Sequence, residues 1–301
     1  MNKILLCCVL VALSFGAAYA FDADTKIADV INHPKLKSFG RLIFPVNENY
    51  YSGDTLKTLR LTWYGRLNTA RTVDIVNYIL ENSDRIFYPI YPANDKRARD
   101  TGLFFFRGKP GAKFAICNAG GGFVFVGAMH DSFPHALELS RKGYNAFALI
   151  YRPGADTGCE DLARAIAFIH EHADELGVDV KNYSLWGGSA GARLSAWLGS
   201  YGTDEFGEKV YPRPAAVIMQ YTALSEVTGN EPPTYNCVGT EDGIAPYQTM
   251  QRRINAIKSN GTDTMIEIFP GLSHGFGLGE NTIAEGWLDN AVKFWEKHQE
   301  N

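Results

Sequence analysis

Three blocks of the sequence hold residue types that could carry out acyl transfer. Gly187-Gly188-Ser189-Ala190-Gly191 is a G-x-S-x-G pentapeptide. In such a block a tight strand-to-helix turn thrusts a nucleophilic serine outward. Ala119-Gly120-Gly121-Gly122-Phe123 is a triple-glycine loop after an apolar run. Attack on an ester turns the carbonyl oxygen into an oxyanion, and preorganised N–H donors there are each worth roughly 3–4 kcal/mol of barrier. Gly121 and Gly122 are the expected donors, joined by Ala190 just after the serine. The third block is a pair, Gly239-Thr240-Glu241-Asp242-Gly243 and Leu272-Ser273-His274-Gly275-Phe276. A serine hydroxyl needs a base to take its proton, and a carboxylate fixes the tautomer of a histidine base. His274 is the candidate base, and Asp242 or its neighbour Glu241 the candidate acid.

The competing chemistries lack their residues. The glycine loop matches neither G-x-G-x-x-G nor G-x-x-x-x-G-K-[ST], so a nucleotide phosphate cradle is not expected. No His, Cys and Asp grouping has metal-ligand spacing with enough members, and the expected chemistry needs no cofactor. His33 precedes the regular part of the chain, His170 and His172 lie on the expected solvated side of a helix, and His298 is near the chain end. His130 and His135 follow the glycine loop, where structural roles are expected. Phe123 and His130 are the candidate substrate-lining residues.

These residues need elements to position them. Strand-like runs occur at Ile86–Tyr91, Leu103–Arg107, Phe114–Asn118, Ala146–Tyr151, Tyr183–Trp186, Ala215–Gln220, Tyr235–Gly239 and Met265–Phe269. Helical spacing occurs at 71–82, Ser132–Lys142, Thr157–Leu176, Ala190–Ser200, Tyr247–Lys258 and Ile283–Lys297. Thr157-x-x-Glu160 reads as a capping box, and Gly177 as a helix stop. Alternation of short apolar strands with amphipathic helices predicts an α/β fold, a mostly parallel eight-stranded sheet flanked by helices. Each of the three chemical blocks then follows a strand, at the carboxyl edge where such sheets place their sites. Tyr50, Tyr51, Trp63 and Tyr64 form an aromatic cluster ahead of this region, read either as packing of a leader onto the core or as a wall over a binding site.

The chain of 301 residues is 46% hydrophobic with a formal charge of −4, a composition of a folded globular protein. That charge disfavours nucleic acid or an anionic membrane as the main partner. Lys3, the apolar run Ile4–Phe15 and Ala18-Tyr19-Ala20 read as a secretory signal peptide spanning 1–20, so the protein is expected to be secreted or periplasmic and free of the membrane after cleavage. Cys117, Cys159 and Cys237 remain in the mature chain, an odd number that cannot all pair, and Cys117 and Cys237 lie in apolar strand-like runs, so no disulfide framework is expected. Residues 21–84 read as an N-terminal leader, and 85–301 as one catalytic domain.

The blocks together resemble the α/β-hydrolase fold, in its esterase and acetylesterase branch. The likeness runs from about Arg85 to Lys297 and includes Tyr151-Arg152 after a strand and Glu160-Asp161 at the next helix. It implies a serine hydrolase in which the Asp of the G-x-x-D block, Asp242, is the acid, with Ser189 as nucleophile and His274 as base. The family usually has His before the three glycines, where this chain has Ala119, which puts the support of that loop in question. Only fourteen residues separate Gln220 from Tyr235, leaving no room for a large cap between strands six and seven. The expected substrate is a small-molecule or carbohydrate ester of a small acyl group, with phenolic esters included. A prolyl-oligopeptidase-like peptidase shares the triad order but usually adds a propeller domain that this length cannot hold. A non-catalytic binding protein on the same scaffold is the remaining alternative.

Overall fold

The computed structural model describes residues 20–299. The expected signal segment, Cys7 and Cys8 included, lies outside them apart from Ala20.

Eight strands form the main sheet: β1 (Phe87–Tyr88), β2 (Gly102–Phe106), β3 (Lys113–Asn118), β4 (Asn145–Ile150), β5 (Asp179–Gly188), β6 (Ala216–Gln220), β7 (Thr234–Gly239) and β8 (Thr264–Phe269). Their spatial order is β8-β7-β6-β5-β3-β4-β2-β1. The strands from β3 to β8 pair in parallel, while β1 and β2 join antiparallel at one edge. The central strands are apolar on both faces and wholly buried, as in Phe104-Phe105-Phe106 and Ala146-Phe147-Ala148-Leu149. Such runs are stable only where helices cover both sides. The flanking helices are α1 (Thr69–Glu81), α2 (Phe133–Arg141), α3 (Ala155–Glu171), α4 (Ala190–Tyr201), α5 (Tyr247–Ser259) and α6 (Trp287–Lys297). The stretch 221–233, between β6 and β7, contains no helix.

Several boundaries differ from those expected, each for a local reason. β1 pairs over two residues only, because Pro89 and Pro92 lack the N–H that would continue the ladder. β5 is longer than Tyr183–Trp186 and starts at Asp179; its pairing with β3 shifts register near Lys113, and Asn182 sits at φ 55°. Thr157-x-x-Glu160 is not a capping box: α3 starts at Ala155, and the Thr157 hydroxyl donates back to the Pro153 carbonyl at 2.6 Å. Glu160 instead pairs with Arg152 at 3.0 Å. α6 begins at Trp287 rather than Ile283, because Gly286 at φ 89° interrupts the helical backbone. His170 is not on a solvated face: its ring packs 5.1 Å from Tyr211 and 5.7 Å from Tyr183. Gly177 does stop the helical stretch, in the left-handed conformation.

Residues 21–84 fold around a small antiparallel sheet (Tyr51–Ser52, Arg60–Leu61, Gly65–Arg66) and α1. Leu36, Phe39, Ile43, Leu59, Ile75, Val76 and Ile79 are buried in the same apolar core as the main sheet. Asn68 caps α1 by accepting from the Arg71 N–H at 3.2 Å. Arg71 bridges Glu138 on α2 and Glu280.

Candidate active site

Ser189 stands at the end of β5, where the Ser189 N–H still donates to the Gln220 carbonyl of β6 at 3.0 Å. Its φ of 51° and ψ of −114° lie outside the regular regions. Such backbone is worth roughly 1–3 kcal/mol of strain and persists only where neighbours over-determine it. Here glycines do so. A Cβ on Gly187 would stand 2.3 Å from the Gly191 carbonyl carbon, and one on Gly191 would stand 2.0 Å from the Asn118 carbonyl oxygen. The turn closes only because both side chains are absent. α4 then opens directly at Ala190, with its N-terminal N–H groups behind the serine.

β7 and β8 run in parallel and in register, with Gly239 opposite Phe269. The loops that follow therefore leave the sheet at one level. They are also tied together: Glu241 N–H donates to Leu272 O at 3.1 Å, and Gly271 N–H to Thr240 Oγ1 at 2.8 Å. A Cβ on Gly239 would stand 1.8 Å from Leu272 O, so glycine permits this contact. Asp242 Oδ2 lies 2.8 Å from His274 Nδ1, and His274 Nε2 lies 3.2 Å from Ser189 Oγ. The other carboxylate oxygen accepts from the Ile244 and Ala245 N–H groups at 2.9 and 2.6 Å. Asp242 is buried and is the carboxylate bonded to His274, while Glu241 is exposed. The structure thus brings Ser189, His274 and Asp242 into one hydrogen-bonded row, with the Tyr221 ring set edge-on to His274 at 5.0 Å.

The glycine loop lies against the serine. A Cβ on Gly120 would stand 3.0 Å from Ser189 Cβ, and Gly121 and Gly122 take φ of 129° and 61°. Ala119 is held through its backbone: Tyr151 hydroxyl donates to Ala119 O at 2.7 Å. Gly127 N–H donates to Gly120 O at 2.9 Å, and Val124 N–H to Gly121 O at 3.0 Å.

One residue beneath this loop was not anticipated. Asp131 is buried and accepts from Gly120 N–H at 3.0 Å, Tyr64 hydroxyl at 2.7 Å and Tyr221 hydroxyl at 2.6 Å. Burial, and then the Asp131 charge, hold both tyrosine hydroxyls well above their usual range, so both stay protonated and donate. The available signal was its isolation: Asp131 is the only charged side chain between Lys113 and Glu138.

The two candidate substrate-lining residues also have partners within the fold. His130 Nε2 is 2.8 Å from Gly275 O, directly after His274, and its ring lies 4.4 Å from that of Tyr64. It therefore braces the base loop. Phe123 is half-buried and stacks on Trp197 at 5.9 Å. The aromatic cluster converges on the glycine loop through Phe125, which meets Tyr50 at 4.8 Å and Trp63 at 5.5 Å.

Comparison with known proteins bears on this arrangement. The BD-FAE family model, of an α/β-hydrolase esterase family, matches residues 108–234. Endo-1,4-beta-xylanase B of Butyrivibrio fibrisolvens is 23% identical over 240 residues, a match covering 65% of this chain and 35% of that protein. The chain spans about a third of the length of that curated relative. Among solved structures, an acetyl ester-xyloside bifunctional hydrolase from Caldicellulosiruptor lactoaceticus superposes with a TM-score of 0.62 at 22% identity, covering 70% of this chain and 95% of that one. The propionate-bound esterase Est2 of Thermogutta terrifontis gives 0.61 at 22%, covering 70% and 93%. MGS-M1, an α/β hydrolase from a Medee basin deep-sea metagenome, gives 0.59 at 20%, covering 71% and 97%. At these identities the likeness is one of fold, and the fold is that of the α/β-hydrolases.

Proposed function

We propose that this chain, an α/β-hydrolase that matches an esterase family over its centre, hydrolyses carboxylic esters through Ser189, His274 and Asp242. The observation that carries the reading is the row Ser189–His274–Asp242, with separations of 3.2 and 2.8 Å, set beside the glycine loop. Ser189 Oγ attacks the ester carbonyl as its proton passes to His274 Nε2. Asp242 accepts from His274 Nδ1–H and stabilises the imidazolium that forms. The oxyanion is received by the N–H groups of Gly121, Gly122 and Ala190. His274 then protonates the departing alcohol, and water, activated by the same histidine, releases the acid from the acyl-serine.

The names of similar proteins favour small acyl groups: one is called an acetyl ester-xyloside hydrolase, and another was solved with propionate. The segment 1–20 supports export, and export supports an acylated carbohydrate or plant phenolic ester as substrate. The test is labelling with a fluorophosphonate probe, followed by nitrophenyl esters of increasing chain length beside a peptide amide. Labelling lost in Ser189→Ala and turnover falling beyond short acyl chains are the expected results. Absence of labelling in the intact protein, or amide turnover above ester turnover, overturns the reading.

A further inference from the structure

The leader brings an exposed tryptophan to the glycine loop. Trp63 leaves 65% of its surface in water, whereas Trp186, Trp287 and Trp295 are almost fully buried. A tryptophan recruited for packing loses its surface as those three do. Trp63 also sits at φ 70°, a left-handed backbone that is an outlier for so bulky a residue. Strain of this kind collects at ligand-holding positions.

Its placement is fixed from several sides. A Cβ on Gly122 would stand 2.9 Å from the Trp63 ring, so the indole rests on a proposed oxyanion donor and glycine makes the approach possible. Phe125 backs the indole at 5.5 Å and is itself stacked on Tyr50 at 4.8 Å and 17°. The next residue, Tyr64, is tied to buried Asp131 at 2.7 Å. Gly120, two positions from Gly122, is against Ser189. The indole is therefore a braced, water-exposed aromatic surface on the same glycine loop that lies against the reacting serine.

We propose that Trp63 forms a ring-stacking subsite for the alcohol half of the ester held on Ser189. An open aromatic face of this kind takes a flat ring, either the C–H face of a pyranose or the face of a phenyl group. A small acyl group leaves the alcohol as the larger half of the substrate, the half that reaches such a surface. The proposal rests on the ester-hydrolase reading, and its test keeps the two apart.

The acyl group is held constant as acetyl while the alcohol varies: phenyl acetate, an acetylated methyl xyloside and ethyl acetate. In Trp63→Ala, kcat/KM is expected to fall about five- to tenfold on a ring-bearing ester and less than about twofold on ethyl acetate. Trp63→Phe is expected to keep most of the activity. Loss on the phenyl ester, on the xyloside ester or on both identifies the ring and supports the subsite. No loss on either ring ester overturns it. Equal loss on all three esters also overturns it, because Trp63 then merely buttresses the loop. If the intact protein hydrolyses none of them, the ester reading fails, and saturation-transfer NMR of the full chain with methyl xyloside and with phenol still decides the subsite. A transfer signal lost in Trp63→Ala supports it, and no signal, or one unchanged by the substitution, overturns it.

Discussion

Tyr64 of the leader donates its hydroxyl to Asp131 beneath the glycine loop at 2.7 Å, across 67 residues of sequence. That bond joins the N-terminal segment to the same carboxylate that accepts from Gly120 and from Tyr221, and Tyr221 packs against His274. Asp131 is thus a positioning residue for both the oxyanion loop and the base. Tyr64→Phe removes one donor from a buried charge and is expected to lower stability by about 1.5–3 kcal/mol. Urea melts of Tyr64→Phe, Asp131→Asn and the double variant check it, since direct contact predicts losses that do not add.

For the proposed triad, the expected order of effects is specific. Ser189→Ala should abolish fluorophosphonate labelling while leaving the far-ultraviolet spectrum unchanged. Asp242→Asn should lower kcat by about four orders of magnitude through the wrong histidine tautomer. Glu241→Gln, at an exposed position, should leave the rate within about twofold, because a solvent-exposed charge contributes little. Nitrophenyl acetate kinetics measure all three.

The glycines of the turn make a packing prediction. Gly191→Ala would place a methyl 2.0 Å from the Asn118 carbonyl, where backbone meets backbone and cannot rotate away. A loss of about 3 kcal/mol or more is expected. Gly243→Ala, with nothing within 4 Å of the added carbon, should be close to neutral. Thermal melts of the two variants test the contrast.

His135, on α2, makes a pH prediction. It is buried, and burial lowers its pKa to about 4 against the opposing pull of Asp131 and of the Gln220 side chain. Between about 4 and the unfolded value near 6.5, the unfolded chain binds the extra proton. Stability from this group is therefore complete above about pH 6.5 and declines as pH falls toward about 4, by about 3 kcal/mol in all. Denaturant titrations from pH 7.5 to 4 should show a steeper decline for the native chain than for His135→Leu.

Much of the site was legible because each candidate residue sits at the end of a short apolar strand, and strand ends are marked by local glycines. Gly187 and Gly191 announce the turn around Ser189, and the parallel sheet does the rest. Asp131 was not legible, since its partners Tyr64 and Tyr221 lie 67 and 90 residues away. The reading of Thr157 as a cap failed because the chain had already turned helical at Ala155, after Gly154. A structural role for His130 is expected from its place after the glycine loop, but its partner Gly275, 145 residues on, is not legible. Local pattern specifies elements well and specifies pairings between distant segments poorly.

β8 is the last strand on its side of the main sheet, paired with β7 alone, and most of its residues are only half-buried. His274 follows directly from it. Edge elements with one neighbour open more readily than central strands, so the parts of this catalytic row are unequally secured. Ser189 and Asp242 follow interior strands, while the base follows the one most able to detach. In mild denaturant, hydrolysis should fade while the core spectroscopic signal persists, making the working state of this protein less durable than its folded state.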